Sequence, residues 1–304
     1  MDVRRLEILR ELSERGSVGA VAAAMKVTPS AVSQQLKVLE KEAGYTLVEP
    51  AGRGVALTEA GRALARTATE IAVAVAKAEG AWREFMAQPA GRVTLSTFPT
   101  AGEMLLPGLL TRMADRPDVE LVLADNDGTI DFADQTADFD VVLADSPATS
   151  DTWHERSLQV VPLMNEPLDV ALPEDHPLAA KDSLAAKDVV GETWIGVPHD
   201  YPFDQVLERV VAVTGEPVRV AQRIADNGIV EALVAAGHGI AILPRFTTRE
   251  HGNGLVTRPL VGIRAKREIS ALLRPDRFER PSVRAVIDAL RAEAKAVAQA
   301  HSAA

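Results

Sequence analysis

The segment from Thr28 to Lys37, TPSAVSQQLK, sets hydrogen-bonding and cationic side chains at helical spacing. Thr followed by Pro starts a helix well, because the hydroxyl accepts an orphan N–H and proline has none to lose. On that helix Pro29, Ser30, Ser33, Gln34 and Lys37 fall on the exposed face, and Ala31, Val32, Leu36 and Leu39 on the buried one. Gln34 suits bidentate bonding to adenine N6 and N7, and Ser33 can reach a base or a phosphate. Lys37 and the free N–H groups at the helix start suit phosphates. The plain alternative is a solvated polar face. A second chemistry-bearing stretch, Ser96-Thr97-Phe98-Pro99-Thr100, joins a strand-like run to a helix beginning near Ala101. Its hydroxyls and free N–H groups can hold an anion such as a carboxylate, or simply cap the helix.

No catalytic constellation emerges. The histidines at 154, 176, 199, 238, 251 and 301 form no HxxxH or HxH pair, so no metal site is expected. There is no G-x-S-x-G elbow, and Gly237-His238-Gly239 lacks the order and following helix of a phosphate loop. With no cysteine, disulfides, thiol catalysis and Cys-type metal sites are all excluded. No cofactor is expected.

The elements that would position these residues fall into three zones. Residues 1–57 read as three short helices, about Leu6–Leu12, Val18–Met25 and Pro29–Glu42, followed by a small hairpin around Gly52–Gly54. This is the outline of a winged helix-turn-helix. From Thr58, apolar and small residues (Leu57, Ala60, Leu64, Thr67, Ile71, Ala74, Ala78, Ala81, Phe85) recur every three or four positions, a seam that implies a partner helix. Pro89–Gly91 ends it as a hinge. Beyond Arg92, strands and helices alternate: RVTLST, VELVLA and FDVVLA, then LQVVPL, LDVALP, TWIGVP, VRVAQR and GIAILP. Two α/β lobes with a cleft between them are expected.

The 304 residues suit two domains. The longest apolar runs, Ala20–Met25 and Ile71–Ala76, have six residues, whereas a membrane span needs about twenty. The N-terminus has no signal-peptide pattern, so a cytoplasmic protein without membrane contact is expected. The net charge of −10 is uneven: residues 1–66 hold ten basic and eight acidic groups, leaving the rest at −12. An acidic body with a slightly basic head fits a protein that meets DNA at one end.

GSVGAVAAAMKVTPSAVSQQLKVLEKEAGYTL followed by GRGVALTEAGRAL resembles the winged helix-turn-helix of LysR-type transcriptional regulators. The resemblance implies an α+β/α/β multidomain fold. It comprises a winged helix-turn-helix over 1–58, a linker helix over 59–88, and a two-lobed effector domain over 92–304 resembling periplasmic binding proteins. Lobe I would take about 92–162 and 267–304, and lobe II about 163–266. It implies double-stranded promoter DNA as a partner, met by Thr28, Pro29, Ser30, Ser33, Gln34, Lys37 and Arg53. It also implies a homodimer or homotetramer. In the wing the family's L-F-x-R becomes Leu47-Val48-Glu49-Pro50, so a weaker wing contact is expected. Effector contacts would fall at Ser96, Thr97, Thr100, the Asp127–Thr129 turn, Tyr201, Phe203 and Asp226. Asp125, Asp127, Asp145 and Asp226, with Arg223 and His199 as counter-charges, point to an effector bearing an amino group. The expected function is ligand-responsive regulation of transcription. The rival is a clamshell binding protein or enzyme whose N-terminal segment serves only dimerisation.

Overall fold

The computed structural model describes every residue except 52–53, 86–89, 127–130, 147–152, 154–155, 200, 202, 250–253 and 303–304. The head is built from locally signalled helices α1 (Val3–Arg15), α2 (Val18–Met25) and α3 (Pro29–Ala43). Each has a side-chain N-cap: Asp2 accepts from Arg4 N–H, Ser17 from Ala20 N–H and Thr28 from Ala31 N–H. Gly16 and Gly44 end α1 and α3 at φ 67° and 74°, a left-handed cap that suits glycine. Leu9, Leu12, Val21, Val32, Leu36 and Leu39 fill the core between them. Strands β1 (Val48–Ala51) and β2 (Gly54–Leu57) form an antiparallel hairpin. It is tied to α3 where the Glu40 carboxylate accepts from Leu47 and Val48 N–H.

Helix α4 (Glu59–Phe85) leaves the head. Its first turns pack Ala65 and Ala68 into the head core, whereas Ala74, Val75, Ala78 and Ala81 are exposed and Trp82 is 63% exposed. Near its end Gly80 lies so close to the body that a Cβ there would stand 2.7 Å from the Glu279 carbonyl oxygen.

The body is one mixed sheet. Strands β3 (Gly91–Thr97), β4 (Val119–Asp125) and β5 (Val141–Ser146) are mutually parallel, in the order β4-β3-β5. The path continues through β12 (Lys266–Leu273) to β6 (Gln159–Pro173), β10 (Ile240–Pro244), β8 (Thr193–Gly196) and β9 (Arg219–Arg223). Strand β11 (Leu255–Val261) also pairs with β6, and carries the short β7 (Leu184–Ala185) on its other edge. LQVVPL and LDVALP are therefore not two strands but one of fifteen residues. Its first part pairs with β12 up to Pro167, and its second part pairs with β10 and β11. The strand thus passes from one lobe to the other.

Helices α5 (Pro99–Met113), α6 (Phe132–Gln135), α10 (Pro275–Phe278) and α11 (Pro281–Ser302) belong to lobe I. Its core holds Val93, Leu95, Leu105, Val141, Ile269 and Val286. Helices α7 (Ala186–Val189), α8 (Asp204–Thr214) and α9 (Asn227–Ala235) belong to lobe II, cored on Trp194, Val170, Leu172, Val206 and Ile242. No helix among the described residues is long and apolar enough to cross a membrane.

Candidate functional site

The face of α3 forms as its local signals dictate. Pro29, Ser30, Gln34 and Lys37 are exposed and Ser33 is half-buried. Thr28 spends its hydroxyl on the cap and a 3.0 Å contact with the Ser30 hydroxyl. Val38, one helical turn beyond Gln34, is also exposed and adds an apolar group to this face that its residue type alone did not flag. Arg53 lies outside the described residues. Pro50 sits in β1 of a two-stranded hairpin, where a missing N–H is tolerated.

The body brings together a different set. Arg267, on β12, is 3% exposed, and Glu166 beside it on β6 is fully enclosed. The guanidinium donates from Nε and Nη2 to Glu166 Oε2 at 2.8 and 2.6 Å, from Nη1 to Asp145 Oδ2 at 3.0 Å, and from Nη2 to Thr100 Oγ1 at 2.8 Å. Phe98 of the lobe I core and Phe203 of the lobe II core lie with ring centroids 5.1 and 5.3 Å from its central carbon. One cation is thus held by rings from both lobes, an arrangement worth more when desolvated than at a surface. Glu166 also accepts from Phe246 N–H, so its charge is hydrogen-bonded from several directions. Because the Thr100 hydroxyl accepts from Arg267, its hydrogen remains to be donated. Among the described residues no side chain caps the start of α5.

Thr100 and Phe203 therefore converge on Arg267, and Tyr201 packs against the lobe II core nearby in sequence to Phe203. Ser96 and Thr97 turn inward: Ser96 donates to Gln135 at 2.6 Å and Thr97 to the Phe98 carbonyl at 3.1 Å, both almost fully buried. Asp226 caps α9 through Ile229 N–H. Asp127 and Thr129 lie outside the described residues. The expected counter-charges also pair otherwise: Arg223 and His199 both contact the buried Asp204, at 2.8 and 3.0 Å, whereas Asp145 serves Arg267. Among the described residues no group of acidic or histidine side chains is arranged to hold a metal ion.

Family comparison agrees with both halves of this architecture. Residues 3–62 match the model described as bacterial regulatory helix-turn-helix protein, lysR family, and residues 86–295 match the LysR substrate binding domain. The chain belongs to the LysR family of transcriptional regulators. The hydrogen peroxide-inducible genes activator of Escherichia coli O6:H1 is 26% identical over 299 residues, covering 96% of this chain and 95% of that protein. Full-length OxyR from Pseudomonas aeruginosa has the same fold at TM-score 0.63, with 23% identity over 96% of this chain and 98% of that one. CbnR, solved with its target DNA, aligns at TM-score 0.54 and 22% identity over 97% and 100%. The LysR-type regulator described here combines a DNA-binding head with an effector-binding body.

Proposed function

We propose that α3 enters the major groove of promoter DNA, with Ser30, Ser33 and Gln34 toward base edges and Lys37 and Arg53 toward phosphates. Supporting this are the exposure of Gln34 and Lys37 on a firmly capped helix and the match of residues 3–62 to a DNA-binding model. That match favours DNA reading over a head that serves only to dimerise. The exposed second half of α4 supplies the seam for a homodimer, and further pairing gives a tetramer. The regulator would act on cytoplasmic DNA and carry out no catalysis.

The effector would bind where the two lobes meet at Arg267, against Thr100, Phe98, Phe203 and Tyr201. The observation that carries this is the guanidinium flanked by one ring from each lobe. A ligand that shifts those rings favours one lobe arrangement over another and so biases the heads. An amino-bearing effector would have to displace Arg267 from Asp145. The Thr100 hydroxyl and the start of α5 instead offer donors, so the reading favours a carboxylate or hydroxyl acceptor. Peroxide sensing through a thiol is not open to this chain, which has no cysteine.

Thermal melts of the full chain against organic acids, amino acids and aromatics test the cleft. A ligand at about a hundred times its Kd stabilises the fold by about 2.7 kcal/mol. Thr100→Val should abolish that stabilisation; a shift that persists in Thr100→Val overturns the assignment.

A further inference from the structure

Arg267 lies near the start of β12, and Arg274 follows the strand's last residue directly. Between them Ile269, Ala271, Leu272 and Leu273 are fully buried, and Ser270 is almost so. The strand is paired on both edges, with β5 from Glu268 to Leu272 and with β6 from Lys266 to Leu273. A break in register on the β6 side falls between Ile269 and Ser270, where the pairing with β5 is continuous. A strand packed in this way transmits a displacement instead of absorbing it, because close-packed interiors compress little.

At its far end the strand meets the head. Arg274, 3% exposed, donates from Nη1 to Glu11 Oε1 at 2.8 Å and lies 2.8 Å from Glu14 Oε2, both on α1. Arg10 of α1 returns the contact by donating to Asp276 Oδ1 at 2.9 Å. Arg15 donates to Glu11 at 2.6 Å, and to the Ala137 carbonyl and Asp138 of lobe I at 2.7 and 2.8 Å. Helix α1 in turn holds α3: Leu9 and Leu12 share a core with Val32, Leu36 and Leu39, and Arg5 donates to Glu42 at 2.6 Å. Buried ion pairs add little net stability over an apolar contact, but a guanidinium on a carboxylate fixes one geometry. Two ionic links from α4 to the body, Lys77 with Glu279 and Glu84 with Arg284, rest on exposed Lys77 and Glu84 and are correspondingly weak.

We propose that β12 is a lever joining the effector cleft to the DNA-binding head, with Arg274 as the positioning residue that grips α1. A ligand or substitution that moves Arg267 between the Phe98 and Phe203 rings shifts the strand. The Arg274–Glu11 clasp passes that shift to α1 and so to α3. The lever rests on the reading of Arg267 as the centre of the cleft, but its test needs neither effector nor DNA.

Phe203→Leu takes one ring off the Arg267 guanidinium and serves as the perturbation; amide hydrogen exchange along α1 of the full chain is the readout. The substitution should speed α1 exchange about fivefold, the low end of ordinary coupling between sites. Arg274→Met/Glu11→Gln cuts the clasp without leaving Glu11 as a lone buried charge. Glu14, which burial raises to about 7, is mostly neutral if the exchange is run at about pH 6. In that background Phe203→Leu should leave α1 exchange unchanged, and in Glu11→Gln alone, a milder change, its effect should be reduced. Comparing each background with and without Phe203→Leu cancels any general loss of stability. Arg284→Ala, which frees Glu84 of α4 from the body, should keep the full response. No effect of Phe203→Leu on α1 in the otherwise native chain, the additive effect of uncoupled sites in the clasp variants, or loss of the response in Arg284→Ala overturns the lever. In mobility shifts DNA affinity should follow the same pattern. A chain that shows the exchange pattern but binds no DNA would sink the regulator reading and leave the lever standing.

Discussion

The head and the inter-lobe site are built on opposite principles. In the head every helix is started and stopped by a neighbour in sequence, and its outward face stays open to solvent. At the inter-lobe site, Arg267 meets Glu166 and Asp145, which lie 101 and 122 positions away, and nearly everything is buried. A surface that reads a large external partner can be set by local signals. A site that couples two lobes has to be closed by long-range strand pairing, and its charges have to satisfy one another.

The largest effect should come from breaking the buried network. Arg267→Met leaves Glu166 and Asp145 enclosed without their cation and should cost about 3–5 kcal/mol in denaturant unfolding of the body. The head's own DNA affinity should suffer far less, and an equal loss in both would show that the two regions are not separable. In the head, Thr28→Ala removes one cap and should cost about 1 kcal/mol, read as a lower melting temperature with the helix content kept. Lys37→Ala is smaller still in stability. It should weaken binding to all DNA sequences alike and lower the salt dependence of affinity by about one counterion.

The interface between the two regions should respond to pH. Glu14, raised by burial to about 7 from an ordinary 4.5, favours the folded contact in its protonated form. That contribution is complete below the ordinary value and is lost as pH rises through about 7. Glu11 and Asp276 run the other way. Burial acts upward on both, but Arg274 with Arg15 for Glu11, and Arg274 with Arg10 for Asp276, hold them below their ordinary values. Their contribution is present above those values and fades as pH falls through the lowered ones. Head–body contact should therefore be most stable near pH 4.5 and should weaken as pH rises to an upper limit of about 7, a decline that Glu14→Gln should remove. Hydrogen exchange across α1 checks it; an unchanged upper limit in Glu14→Gln would discard the assignment.

The same contrast governs what the sequence revealed. Ser17, the Thr28-Pro29 pair, Gly16 and Gly44 are signals whose partners lie within four residues, so the helices of the head follow directly from them. That α4 is one long helix was visible as periodicity. The bridging strand was not, because Asn165-Glu166-Pro167 resembles a turn until β12 pairs alongside and holds it extended. Strands β11 and β12 were missed for the related reason that Arg258-Pro259 and Lys266-Arg267-Glu268 read as surface. The only trace of Arg267 as a site residue was a cation beside the alternation of Ile269, Ala271 and Leu273. Ser96, Thr97 and Asp226 show the converse: hydroxyl and carboxylate types that suit a ligand were used within the fold.

The most direct test of the central account is a mobility shift of the wild type and the Ser33→Ala/Gln34→Ala pair on the DNA upstream of the gene. The account predicts salt-dependent, sequence-specific binding by the wild type. It predicts loss of discrimination in the double variant, about 1–3 kcal/mol for each good base contact, at an unchanged melting temperature. Equal affinity and specificity in the two proteins would contradict it.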